Sequence, residues 1–176
     1  MATLTIDASL DSPQVQAAFR HWQQLGRDST PLMEAIGVGL VSNVHDRFSA
    51  ETDPAGNRWA PLKEPWAGLR KAAPILQQSG MVAGLMGSIT SDAANGEVSV
   101  GSNKPYAGVH QFGAVIKAKN APFLIFRTAD GRPFGFARQV TIPARPYLGI
   151  SSADEDTILD AVEVFWLRFR AGPATP

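Results

Sequence analysis

The sequence predicts an α+β fold from three patterns: apolar stripes at helical spacing towards both ends, alternating strand-like segments in between, and turn residues punctuating those segments. The expected architecture is an N-terminal helical hairpin and a C-terminal helix packed on one face of a mainly antiparallel sheet, with a β-hairpin protruding between residues 114 and 140. A chain of 176 residues with 44% hydrophobic content can bury one core, so residues 1–176 are read as a single domain.

Each element has a local signal. Thr3 to Asp7 alternates as a short strand, and Asp11 or Ser12 before Pro13 supplies a helix start. Val15, Ala18, Phe19, Trp22 and Leu25 then form one apolar stripe that Gly26 ends. Thr30-Pro31 repeats the start signal, and Met33, Ile36, Leu40, Val44 and Phe48 continue on a longer helix. Gly37 and Gly39 inside it each cost about 1 kcal/mol relative to Ala, which implies close approach by another element or chain. The turn-rich TDPAGNRWAPLKEP reads as an ordered loop pinned by a buried Trp59. Trp66 to Ala73 suits a short helix, and Ser79 can cap another through Met86, with Leu76, Met81 and Leu85 available for burial.

Asn95-Gly96 between SITSDA and EVSVGS predicts a hairpin with a type I′ turn, Val98 and Val100 sharing a face. Tyr106 to Phe112 suits one or two helical turns. AVIKAK, PFLIFRT and PFGFARQVTI follow as extended segments, with Asp130-Gly131 turning between the last two. TIPARPYLGI interrupts them, and Ser152 with Glu155 has capping-box spacing at the start of the final helix. Ile158, Val162, Phe165, Trp166 and Phe169 form its expected buried stripe, which leaves Val164 and Leu167 in water unless a neighbour covers them.

Sixteen basic residues balance sixteen acidic ones, so no global field draws the chain to nucleic acid or anionic lipid. Without cysteine there are no disulfides, thiolate nucleophiles or cysteine-based metal sites, which suits a reducing cytoplasm and many exported proteins alike. The N-terminus lacks a basic and apolar leader pattern, and no run approaches the roughly 18 apolar residues of a membrane span. No signal peptide and no membrane partner are expected.

Motifs for catalysis are weak. His21, His45 and His110 show no metal-ligand spacing and read as solvated or locally bonded side chains. Ser79 and Ser102 lack a nucleophile elbow, the runs GVG and GLMG match no phosphate loop, and Asp154, Glu155 and Asp156 sit where a helix start favours negative charge. The expectation is a protein that is not an enzyme and has no cofactor. Lys117, Lys119, Arg127, Arg132 and Arg138, interleaved with phenylalanines, are the candidate DNA-facing residues; the alternative is a half-buried hairpin with its basic side in water.

Four segments in order carry a resemblance: RFSAETDPAGNRWAPL (Arg47 to Leu62), ILQQSGMVAGLMGSI (Ile75 to Ile89), VGSNKPYAGVHQFG (Val100 to Gly113) and IPARPYLGIS (Ile142 to Ser151). Together they resemble the phage virion morphogenesis family, which includes the Mu-like G proteins and tail completion proteins. The likeness covers roughly Arg47 to Ala171.

What the resemblance implies is a catalytically silent virion subunit at the head-proximal end of the tail, or at the head–tail junction. It would form a ring of identical copies, a hexamer to match a six-fold tail tube, through which DNA passes with transient non-specific contact. Neighbours would be neck, tail-terminator, tail-tube or connector proteins, and the location the virion, after assembly in the host cytoplasm. The alternative is a scaffolding or chaperone-like factor absent from the mature particle; a small hydrolase using His110 is a third reading. Ring subunits need two different adhesive faces, for which Gly37, Gly39, Val164, Leu167, Phe134 and Phe136 are the interface candidates. Trp59, Tyr106, His110, Gln111, Arg145, Pro146 and Tyr147 are the structural anchors, since they join aromatic bulk to polar groups that need partners.

Overall fold

The computed structural model describes residues 26–62, 74–77, 84–127 and 131–170, with the side chains of 169 and 170 excepted. The expected first strand and first helix, the helix over 66–73, Ser79, Met81, Asp130 and the side chain of Phe169 lie outside them.

Helix α1 (Thr30–Ala50) is the central element. Ile36, Val44 and Phe48 of its predicted stripe are buried. Ser29 is its N-cap residue without a side-chain cap bond, and the Thr30 N–H donates instead to Asp28 Oδ1 at 3.0 Å. The Ser29 hydroxyl is engaged elsewhere, with Asn95. Glu51 ends the helix in left-handed backbone at φ 56°. That conformation is costly outside glycine. Here it is held from both sides: the Glu51 carbonyl accepts from the Trp59 N–H at 2.8 Å, and its carboxylate accepts from the Ile75 N–H at 2.6 Å.

A 3-10 turn (Met86–Ser88) leads into the hairpin of β1 (Ile89–Ala94) and β2 (Glu97–Ser102), which pair antiparallel around Asn95-Gly96 and pack on α1. The described end of the helix expected through Met86 is therefore bend and 3-10 turn. The hairpin forms as predicted, but its turn is not type I′, which needs positive φ at both central residues. Only Gly96 has it. The Asn95 side chain instead ties the turn to the start of α1, its Oδ1 accepting from Ser29 N–H and its Nδ2 donating to the Arg27 carbonyl.

A short helix, α2 (Ala107–Phe112), precedes strand β3 (Ala114–Lys117). Strands β4 (Leu124–Arg127) and β5 (Pro133–Ala137) pair with each other, while β3 pairs with β6 (Gln139–Ile142). The segment PFGFARQVTI, expected as one strand, thus breaks at Arg138 and serves two partners. The result is one long hairpin with a β3–β6 stem and a β4–β5 tip. Pairing is antiparallel throughout the described residues, as expected, but it is distributed over three two-stranded ribbons.

Helix α3 (Ser152–Arg170) lies against α1. Its cap sits one residue earlier than predicted: Ser151 and Asp154 form the box, with the Ser151 N–H donating to Asp154 Oδ2 at 2.8 Å and the Asp154 N–H donating to Ser151 Oγ at 3.3 Å. Glu155 is exposed, because only Asp154 turns towards the buried Arg47. Ile158, Val162 and Phe165 are half-buried, but Trp166 is 48% exposed, a correction to the expected stripe. The inward arc of α3 is narrower than the stripe, and Trp166 falls beyond its edge. Val164 and Leu167 are exposed, on the outer side.

The core is one cluster: Val44, Phe48, Trp59, Ile75, Leu85, Ile89, Ala107 and Tyr147. It gathers pieces of all four segments around the C-terminal half of α1.

Candidate assembly surface and the strap that positions it

Residues 143–151 form a strap that is neither helix nor strand. Buried backbone outside regular structure must find hydrogen-bond partners among side chains. That need explains most of the polar chemistry in this chain.

Trp59 Nε1–H donates to the Pro146 carbonyl at 2.8 Å, and its ring, 6% exposed, stands edge-on to Phe48 at 5.5 Å. Tyr147 also packs against Phe48, at 5.2 Å, and its hydroxyl donates to the Ala107 carbonyl. Burial pushes the Tyr147 hydroxyl above its ordinary pKa. Gln111 clamps the strap like a strand would, its Oε1 accepting from the N–H groups of Tyr147 and Leu148 and its Nε2 donating to the Leu148 carbonyl. Arg145 donates through its guanidinium to the carbonyls of Ala60 and Pro61, and its N–H donates to the His110 carbonyl at 2.7 Å. The Tyr106 and His110 rings meet edge-on at 5.9 Å. Gly113 lets the strap pass: a Cβ there would lie 2.8 Å from the Ala144 nitrogen and 2.9 Å from the Ile142 oxygen. Six of the seven anchor residues therefore meet at the strap, while Tyr106 is 40% exposed and reaches it through the His110 ring.

Two residues that the sequence reading missed complete it. Arg47 donates to the carbonyls of Tyr147 and Gly149, to Ser151 Oγ and to the Asp154 carboxylate, with which it forms a buried ion pair. Asn43 donates to Asp154 Oδ1 and Thr157 Oγ1. Burial acts most strongly on the Asp154 carboxyl and would raise its pKa. Hydrogen bonds from Asn43 and Ser151, with the Arg47 charge, outweigh that and hold it below the ordinary aspartate range. A signal was present in that Arg47 interrupts the apolar face between Val44 and Phe48; its partner, 107 positions away, had no local signature.

The interface candidates separate into two groups. Gly37 and Gly39 serve contacts within the subunit, a Cβ on Gly37 meeting Ser91 and Val98 of the hairpin, and one on Gly39 meeting Thr157 of α3. Their close approach is intramolecular, because the ribbon and α3 both press on this stretch of α1. Val164, Leu167 and Phe136 are exposed, whereas Phe134 is half-buried beside Phe126. Lys117, Lys119, Arg127, Arg132 and Arg138 are all exposed, with Arg127 donating to the Gly131 carbonyl and Arg138 lying over the Phe123 ring. His45 bonds the Met86 carbonyl, and no group of His, Asp and Glu residues fit for a metal occurs among the described residues.

Two further surface features among the described residues present apolar side chains. One is the outer side of α3. The other is a groove of about 400 Å³ between the hairpin and the loop after Trp59, lined by residues that include Leu62, Ile116, Leu124, Phe126 and Val140. No described helix is long and apolar enough to cross a membrane.

Comparison with known proteins agrees with the four-segment resemblance. The chain is 31% identical over 156 residues to Mu-like prophage FluMu G protein 2 of Haemophilus influenzae, which covers 89% of this chain and 91% of that one. It is 27% identical over 169 residues to the putative capsid assembly protein G of Escherichia phage Mu, covering 91% and 93%. No solved structure matches with significance. The model of the phage virion morphogenesis family matches residues 10–165, and the strap with all its anchors lies inside that match, so the chain belongs to this family.

Proposed function

We infer that the protein is a structural subunit of a tailed phage or prophage particle, forming a ring at the head-proximal end of the tail through which DNA passes. The observation that carries this reading is how the chain divides its chemistry. The buried Arg47, Asp154 and Arg145 are committed to holding the strap, while large apolar side chains remain in water on α3 and the long hairpin. Polar groups spent on the fold do no catalysis, and exposed apolar surface of this kind seeks another protein. A heterologous contact repeated between identical copies closes a ring when its rotation fits the copy number, and six copies would match a six-fold tube. Other tail and neck proteins would meet the two rims of the ring, and the basic hairpin side chains would touch passing DNA without reading it.

A second reading has support in the name of the phage Mu relative, a putative capsid assembly protein: a factor that guides assembly and leaves. Mass spectrometry of purified particles separates the two. A fixed copy number, with density for this chain at the neck in a reconstruction, supports the ring. Consistent absence from mature particles overturns it in favour of the assembly factor.

A further inference from the structure

The chain carries no net charge, but its charges are segregated. Residues 152–167 of α3 contain five acidic residues and no basic one, and Asp154 alone of these is buried. On a helical wheel the outward arc holds Asp156, Asp160 and Glu163 with Leu159, Val164 and Leu167 among them. All six are exposed. The long hairpin has the opposite character. Residues 114–142 contain five basic residues and one acidic one. All five basic side chains are exposed, and so are Val115, Ile125 and Phe136 on the same strands, beside the apolar groove that Ile125 helps to line. Among the described residues the main packing of α3 is on α1 and that of the hairpin strands is on each other.

We propose that the acidic, apolar outer face of α3 docks on the basic long hairpin, with its exposed apolar side chains, of a second copy. The inference rests on the ring reading and gives that reading its contact. A helix face that mixes acids with exposed apolar side chains complements a hairpin that mixes bases with exposed apolar side chains. Because the two faces differ, each copy offers one and accepts the other, and repeated head-to-tail the contact closes a ring when its rotation fits the copy number.

The test uses charge reversal and swap in the full chain, followed by sedimentation velocity at low and high salt. Asp160→Lys with Glu163→Lys on α3, and separately Arg127→Glu with Arg138→Glu on the hairpin, should each weaken self-association by about tenfold or more. The chain carrying all four changes should regain association, since attraction is restored with its sign exchanged. Circular dichroism checks that each variant is folded. A contact readout is clean because the protein has no cysteine. A chain with both Leu167→Cys and Ile125→Cys should form a ladder of disulfide-linked oligomers on oxidation. If the wild type associates while the reversals leave it unaffected, or the swap fails to restore what the single-face reversals lose, this interface is wrong and the ring reading stands. A wild type that stays monomeric at every concentration and salt sinks both.

Discussion

The strap and the long hairpin that feeds it are neighbours in the chain and opposites in how they are held. Strap backbone is fixed by side chains from Trp59, Gln111 and Arg47, each reaching it from a distant stretch of sequence. The hairpin is fixed by its own ladders, β3 to β6 and β4 to β5, and keeps Phe136 65% exposed and Ile125 half in water. The difference separates a part of the chain held by distant side chains from one held by its own ladders. The four segments that carry the family resemblance are those that build the strap's socket, while the hairpin needs only antiparallel pairing and leaves its outward side chains unconstrained by the fold.

The contrast can be broken most directly at Trp59. Replacing it by Ala removes a buried ring and the bond to Pro146, and should cost about 3–5 kcal/mol in a urea titration. A normal melting temperature would mean that the strap does not depend on its socket. Asp154→Asn comes next. It leaves Arg47 buried against a neutral group, at about 3 kcal/mol. The pH dependence gives a second signature. The folded pKa of Asp154 lies below its unfolded value, so its stabilisation is full above about pH 4 and is lost as pH falls through the lowered folded value. The variant lacks that contribution throughout, and its acid limb should be flatter than that of the wild type.

Gly37→Ala should be smaller, as the balance of two opposed effects. Helix propensity favours Ala by up to about 1 kcal/mol, but the new methyl would lie 2.8 Å from Ser91 Oγ and 2.9 Å from Ser91 Cβ, and overpacking costs about 1–3 kcal/mol. The clash involves an atom next to the backbone of β1, so a net loss of about 1 kcal/mol is expected. Phe136→Ser should change the stability of the isolated subunit by less than about 0.5 kcal/mol, since the ring is already wet. A loss as large as that at Trp59 would show that the hairpin is structural after all.

Much of this was legible in the sequence because it was local. The stripe of α1, the turn at Asn95-Gly96, the short α2 and the start of α3 follow from spacing and turn chemistry within a few residues. What was not legible depended on distance. The Arg47–Asp154 pair moved the cap of α3 from Ser152 and Glu155 to Ser151 and Asp154, and nothing near either residue announces the other. Gly37 and Gly39 signalled close approach correctly, but a sequence cannot tell an intramolecular neighbour from a second chain. The turn conformation at Asn95 was likewise decided by Ser29 and Arg27, more than 60 positions upstream.

The Arg47 contact with Asp154 also sets a clock on biosynthesis. Their 107-residue separation must be translated before the second partner exists, which at roughly 5–20 residues per second takes on the order of 5–20 s. During that interval the nascent chain holds Phe48 and Trp59 with no Tyr147 or Pro146 to cover them, and closing so long a loop is intrinsically slow even afterwards. A polypeptide interrupted on the ribosome before residue 154 therefore lacks the clasp altogether, so completion of the fold reports completion of the message.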